Sequence, residues 1–208
     1  MTGPIAPTER IRRFVVVGQA ASASGDFSIE DLPGSSGRLD VLLRCVRAAL
    51  LVSHGVRREV VLYLVLRGGA RAPRVLRIAG RDAQFLRPDE RSLALLVRKA
   101  LGVPVENGAA FVDVKPGLSI AEGDLECVLA DAPGARVYCL AEEGADLRDE
   151  PLDAPDGLFV LGDHLGLDAA TRSRLDALPC RVVSVGPVSL HTDDVVTLVT
   201  NELDRRAR

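Results

Sequence analysis

A chain of 208 residues can bury one sizeable core, and with 47% hydrophobic residues it reads as a folded protein. Aromatic residues make up only 3%, with no Trp, so the core is built from Val, Leu, Ala and Ile. Platforms for stacking RNA bases are lacking, and any RNA contact must be mostly ionic and polar. The net charge of −3 hides a basic middle: Arg57 to Lys99 holds eleven basic residues against four acidic ones. That balance favours a surface for polyanions, with an arginine-rich codon bias as the competing explanation.

In chain order, "RIRRFVVVGQAASASG" imitates a secretory signal, but its apolar run is too short and Gln19 interrupts it. A first strand near 12–17 is expected instead, after an amino-terminal extension over 1–12. "DLPGSSGRLD" follows, a flexible loop that delivers Arg38 and Asp40 to a helix whose apolar face is Leu39, Leu42, Leu43, Val46, Ala49 and Leu50. Ser35 or Ser36 can cap this helix, and Asp40 in its first turn suits the helix dipole. Strands are expected near 59–66 and 74–79. Next comes a helix with Pro88 at its first position, Asp89 and Glu90 in its first turn, Arg98 and Lys99 in its last, and Gly102 beyond. The remaining expectations are helices near 118–131, 168–177 and 191–206 and strands near 136–140, 158–161 and 181–185. Alternating strands and helices predict a single α/β domain over 13–208 with a mainly parallel sheet and flanking helices. No stretch approaches the roughly 20 apolar residues of a membrane span.

The four cysteines, Cys45, Cys127, Cys139 and Cys180, form no CxxC pair, and His54, His164 and His191 are scattered. They read as reduced thiols of a cytoplasmic protein, with no metal site. Dinucleotide and P-loop phosphate cradles are also missing. What stands out is a set of strand ends. "LFVLGDHLGL" runs from a strand into two glycines around Asp163 and His164, "SVGPVSLHTDD" repeats strand, Gly-Pro turn and helix, and "RVYCLAEEGAD" gives a third. Ligands in open α/β sheets bind beyond the carboxyl ends of strands, so these three ends can form one pocket, with Gly162 letting a ligand approach the backbone. His164 and His191 read as strand-end and capping residues.

"DLPGSSGRLDVLLRCVRAALLVSHGVRREVVLYLVLRG", "RPDERSLALLVRKAL", "FVLGDHLG" and "SVGPVSLHTDDVVTLVTNELDRR" resemble, in order and spacing, blocks of the tRNA pseudouridine N1-methyltransferases of the SPOUT class. The likeness covers residue 13 to the carboxyl terminus. It implies a carboxyl-terminal trefoil knot, a homodimer, S-adenosylmethionine as methyl donor and N1 of pseudouridine 54 in the tRNA T-loop as acceptor. It also implies a donor site of Leu140, Gly162, Val185, Gly186, Pro187, Val188, Ser189 and Leu190, with Val195 in the final helix. The family commonly carries a cysteine where this chain has Val195 and another where it has Ser36, so neither thiol is essential here.

The resemblance also gives Arg38 and Asp40 a chemical reading. N1–H of pseudouridine is free, and its methylation needs the base oriented and the proton removed or shared. Asp40 can accept from that N–H and Arg38 can stabilise charge developing on a ring carbonyl, with capping as the alternative for Asp40. Arg57, Arg58, Arg74 and Arg77 of the basic middle are the expected phosphate contacts. Alternatives are a SPOUT enzyme acting on a ribosomal pseudouridine or a ribose 2′-oxygen, and a non-catalytic RNA-binding assembly factor.

Overall fold

The computed structural model describes residues 11–84, 86–105, 110–152 and 156–207. Strand β1 (Ile11–Ser22) is central: Phe14, Val15, Val16 and Val17 are all fully buried, as a parallel strand covered on both faces must be. It pairs in parallel with β4 (Val60–Gly68) and with β9 (Asp156–Gly162). Beyond β9 lie β8 (Arg136–Asp146) and β10 (Arg181–Ser184), also parallel. Beyond β4 the sheet turns antiparallel through β5 (Arg74–Ala79), β7 (Leu118–Glu122) and β6 (Val112–Lys115). The spatial order is β10-β8-β9-β1-β4-β5-β7-β6, with a small separate hairpin of β2 (Leu51–Val52) and β3 (Gly55–Val56).

Helices cover both faces, and one short turn, α1 (Leu32–Ser35), lies in the loop that follows β1. On one face, Phe14, Val16 and Phe159 join side chains of α2 (Leu39–Leu50), α3 (Glu90–Leu101) and α6 (Thr192–Arg206). On the other, Val15, Val17 and Val160 meet α4 (Leu125–Asp131) and α5 (Ala169–Asp176). With so few aromatics, three are grouped: Phe159 stacks on Phe14 and Tyr138, with ring centroids 5.5 and 5.0 Å apart.

The α/β class, the large and mostly parallel sheet and every expected strand are present. The helix expected over 118–131 is not continuous: Leu118–Glu122 pairs with β5, and only Leu125–Asp131 is helical. Gly117 at φ 76° makes the tight turn from β6 to β7, and Asp124 caps the shortened helix by accepting from Leu125 N at 2.7 Å. Pro88 precedes α3 rather than opening it, because Asp89 is the cap, accepting from Ser92 N at 2.8 Å. The expected extension 1–12 loses its last two residues to β1, and 1–10 lie outside the described residues. Among the described residues no helix is long and apolar enough to cross a membrane.

Candidate active site

Four carboxyl strand ends create the site. Val17 of β1 is level with Gly162 of β9, and the backbone N–H of Asp163 continues the ladder by donating to Val17 O at 2.9 Å. The buried Asp163 carboxylate then accepts from Gln19 N at 2.8 Å and Leu165 N at 2.9 Å, while Gln19 Nε2 donates to Gly166 O at 3.1 Å. These bonds fasten the 162–166 loop onto the end of β1. Thr192 Oγ1 donates to Gly162 O at 3.0 Å and so fixes the first turn of α6 to the same strand end. Next to it, Ser184 Oγ closes the β10 exit by bonding Gly186 O at 2.7 Å and accepting from Gly186 N at 3.1 Å.

Between these loops lies a cavity of about 740 Å³, within the roughly 300–1,000 Å³ usual for small-molecule sites. Leu140, Gly162, Val185, Gly186, Val188, Ser189, Leu190 and Val195 all line it, and Pro187 does not. Its wall combines apolar side chains with the carboxylates of Glu142, Glu143 and Asp194. That suits a donor with an adenine of apolar faces, a sulfonium and an ammonium. The residues present therefore fit S-adenosylmethionine: apolar side chains and strand-end main chain for the adenosine, acids for the cationic end.

The expected reason for Gly162 needs correcting. A Cβ there would sit 2.2 Å from the backbone carbon of Gly166, so glycine is required by the returning loop and not by a ligand's approach.

Arg38 lines the same cavity, but Asp40 stands behind it. Arg38 has left-handed backbone (φ 66°, ψ 34°), rare for a residue with a side chain, and forms the amino cap of α2 without a side-chain capping bond. Ser36 performs the expected capping, its Oγ accepting from Leu39 N at 3.1 Å. Both oxygens of Asp40 are occupied by arginines: Arg38 Nε and Nη2 donate at 3.0 and 3.3 Å, and Arg44 Nη1 at 3.0 Å. Burial pushes the Asp40 pKa up, but hydrogen bonds from Arg38 and Arg44 outweigh it and hold the carboxyl below its ordinary value. Arg38 is correspondingly raised, first by its hydrogen bond to Asp40. Arg44, which sequence reading left unassigned, also lines the cavity. Its signal was the spacing of four from Asp40 on one helix.

Of the four arginines expected to contact phosphates, Arg57, Arg74 and Arg77 are engaged within the protein. Arg74 is fully buried and donates to Leu101 O at 2.7 Å and Val103 O at 3.0 Å, closing the carboxyl end of α3. Arg57 holds Asp204 through two bonds of 3.1 and 2.8 Å, and Arg77 pairs with Asp131 at 2.9 Å. Arg58 is exposed and donates to Arg81 O at 3.1 Å. Arg57 and Arg58 precede Val60, whereas the cavity is level with Val65, so they lie roughly 16 Å or more away along the strand, at the opposite edge.

A family described as "Putative SAM-dependent RNA methyltransferase" matches residues 11–207. A curated tRNA (pseudouridine(54)-N(1))-methyltransferase of Methanosarcina mazei is 42% identical over 197 residues, covering 94% of this chain and 92% of that protein. Relatives of the same name from Methanosarcina acetivorans and Halobacterium salinarum are each 41% identical, covering 94% and 93% of this chain and 92% and 96% of their own lengths. Among solved structures, Archaeoglobus fulgidus Nep1 bound to S-adenosylhomocysteine superposes with a TM-score of 0.64 at 16% identity, over 94% of this chain and 99% of that one. Sheet order, strand-end cavity and sequence agree: the chain belongs to the S-adenosylmethionine-dependent RNA methyltransferase family that includes the tRNA (pseudouridine(54)-N(1))-methyltransferases.

Proposed function

We propose that this protein methylates N1 of pseudouridine 54 in the T-loop of tRNA, using S-adenosylmethionine. The observation that carries the reading is the identity above 40%, across nearly the whole chain, to curated relatives bearing that name. The cavity lined by most of the expected donor residues, with Arg38 on its wall, supports it.

When bound, S-adenosylmethionine supplies an electrophilic sulfonium methyl. The apolar strand-end wall would hold the adenosine of the donor, and the nearby carboxylates would favour its cationic end. Arg38, 41% exposed at its side chain, meets a ring carbonyl of the incoming pseudouridine and steadies the charge that develops there. Asp40 accepts the N1 proton once Arg38 has turned to the base.

The reading includes a trefoil knot in the carboxyl third, as the resemblance to SPOUT enzymes implies. It also includes a homodimer, supported by Leu165, Val188 and Leu190, which are 63%, 65% and 42% exposed around the cavity. Cytoplasmic residence is supported by four free cysteines, with burial raising the pKa of each.

Incubation with labelled donor and T-arm transcripts carrying uridine or pseudouridine at position 54 tests the function. Label should enter only the pseudouridine RNA. Donor binding without transfer to either RNA would favour the assembly-factor alternative.

A further inference from the structure

The two arginines on Asp40 are not equivalent. Arg38 sits at the loop edge with an exposed guanidinium whose side-chain hydrogen bonds go to Asp40. Arg44 is less exposed and anchored on three helices: Nη1 donates to Asp40 of α2, the same nitrogen lies 3.8 Å from Glu90 at the start of α3, and Nε lies 3.6 Å from Asp193 in the first turn of α6. Asp193 Oδ1 is buried with no hydrogen-bond partner, so its ion pair with Arg44 lies in a desolvated setting where charge is felt strongly.

The consequence appears when the substrate enters. Asp40 has a side chain only 4% exposed and both oxygens occupied, so it cannot receive the N1 proton until Arg38 releases it. A buried carboxylate that lost its only cation would tend to take up a proton beforehand and be spent. We propose that Arg44 is a positioning residue for the reaction: it holds Asp40 ionised and correctly oriented while Arg38 leaves to serve the base. This rests on the function proposed above. It divides the pair into a mobile arginine that meets substrate and a fixed one that acts only through Asp40.

Several charged groups face Asp40 or the two arginines that hold it. They are Arg38 and Arg44, Glu90 of α3, Asp193 of α6 and, beyond Arg38, Asp163 of the β9–α5 loop. Once Arg38 has gone, Arg44 is the one cation still bonded to Asp40 among the described residues.

The test has a readout that needs neither donor nor RNA. Carboxyl carbon resonances of labelled aspartate report the titration of Asp40, identified by its loss in Asp40→Asn. Arg38→Ala imitates the engaged state and should leave Asp40 titrating below the reference value of about 3.9. Adding Arg44→Gln should lift it above that value, and Arg44→Lys should restore most of the difference.

In single-turnover transfer, Arg44→Gln should shift the acid limb of the rate profile upward by about one pH unit, lowering the rate roughly 10-fold on that limb while leaving the neutral plateau nearly unchanged. Its effect should vanish in an Asp40→Asn background. The proposal is overturned if Arg38→Ala alone lifts Asp40 above its ordinary value, or if Arg44→Gln slows transfer equally at every pH. Failure of the wild type to methylate pseudouridine 54 would instead remove the functional reading and leave the titration result standing.

Discussion

Arg38 grips Asp40 side-on, its Nε and Nη2 donating to the two carboxylate oxygens at 3.0 and 3.3 Å from a left-handed backbone. The side chain nearest the cavity is therefore a cation, and the acid that resembles a proton acceptor in the sequence waits behind it.

Replacing Asp40 with Asn should leave donor binding intact and slow methyl transfer by roughly 10²–10⁴-fold, the usual contribution of a positioned proton acceptor. The same variant has a pH signature. The folded-state pKa of Asp40 lies below its unfolded value, so its stabilising contribution is full above the unfolded value near 3.9 and is lost as pH falls through the folded one. Thermal melts should show the wild type losing stability to acid more steeply than Asp40→Asn below about pH 4. Equal acid slopes would mean that Asp40 is not held by its arginines.

Backbone and side chain can be separated at Arg38. Glycine accepts φ 66° freely, whereas alanine does not, so Arg38→Gly should be more stable than Arg38→Ala by about 1 kcal/mol in denaturant unfolding. Both should be impaired in transfer, since both lose the guanidinium. If Arg38→Gly kept full activity, the turn would serve the reaction through its backbone alone.

Gly162→Ala should weaken donor binding by disrupting its loop. The added Cβ meets the Gly166 backbone at 2.2 Å, so the loop that carries Asp163 must move, costing roughly 1–3 kcal/mol of stability. Calorimetric titration and melting should fall together. Donor binding lost at unchanged stability would return the site to the simpler picture of a side chain blocking the ligand.

Arg74 and Arg57 should behave as structural residues. Arg74→Met removes the bond to Val103 O and leaves Leu101 O only the longer bond from Arg71 at 3.3 Å, and should cost about 1–3 kcal/mol. The log–log salt dependence of RNA binding should keep its slope in Arg74→Met and in Arg57→Gln, whereas each true phosphate contact removed lowers it by roughly 0.7–0.9. A flatter slope would show that these arginines reach RNA after rearrangement.

Much of this site was legible because strand ends announce themselves. Val137–Leu140, Leu158–Leu161 and Val182–Ser184 are short, mostly apolar runs ending at glycine or small residues, and the cavity lies where they end. Leu118–Ala121 was not legible as a strand, since four mostly apolar residues fit either a helix or a buried strand and the choice depends on β5 beside it. Arg74 reads like any surface arginine. Only the docking of α3, whose last carbonyls lie 27 and 29 residues away, makes it a buried cap. The bond between Asp163 and Gln19 spans 144 residues and leaves no local pattern, although it sets the shape of the donor loop. Arg44 was visible four residues from Asp40, but its link to α6 was not.

The most direct measurement of the central claim is position-resolved mass analysis of nucleosides from tRNA incubated with the protein and S-adenosylmethionine. Two transcripts are compared, one with pseudouridine at 54 and one with pseudouridine at a neighbouring T-loop position and uridine at 54. The account predicts a single methyl group on N1 of pseudouridine 54 in the first and none in the second. Methylation of the second transcript, or a methyl group on ribose in either, would contradict it.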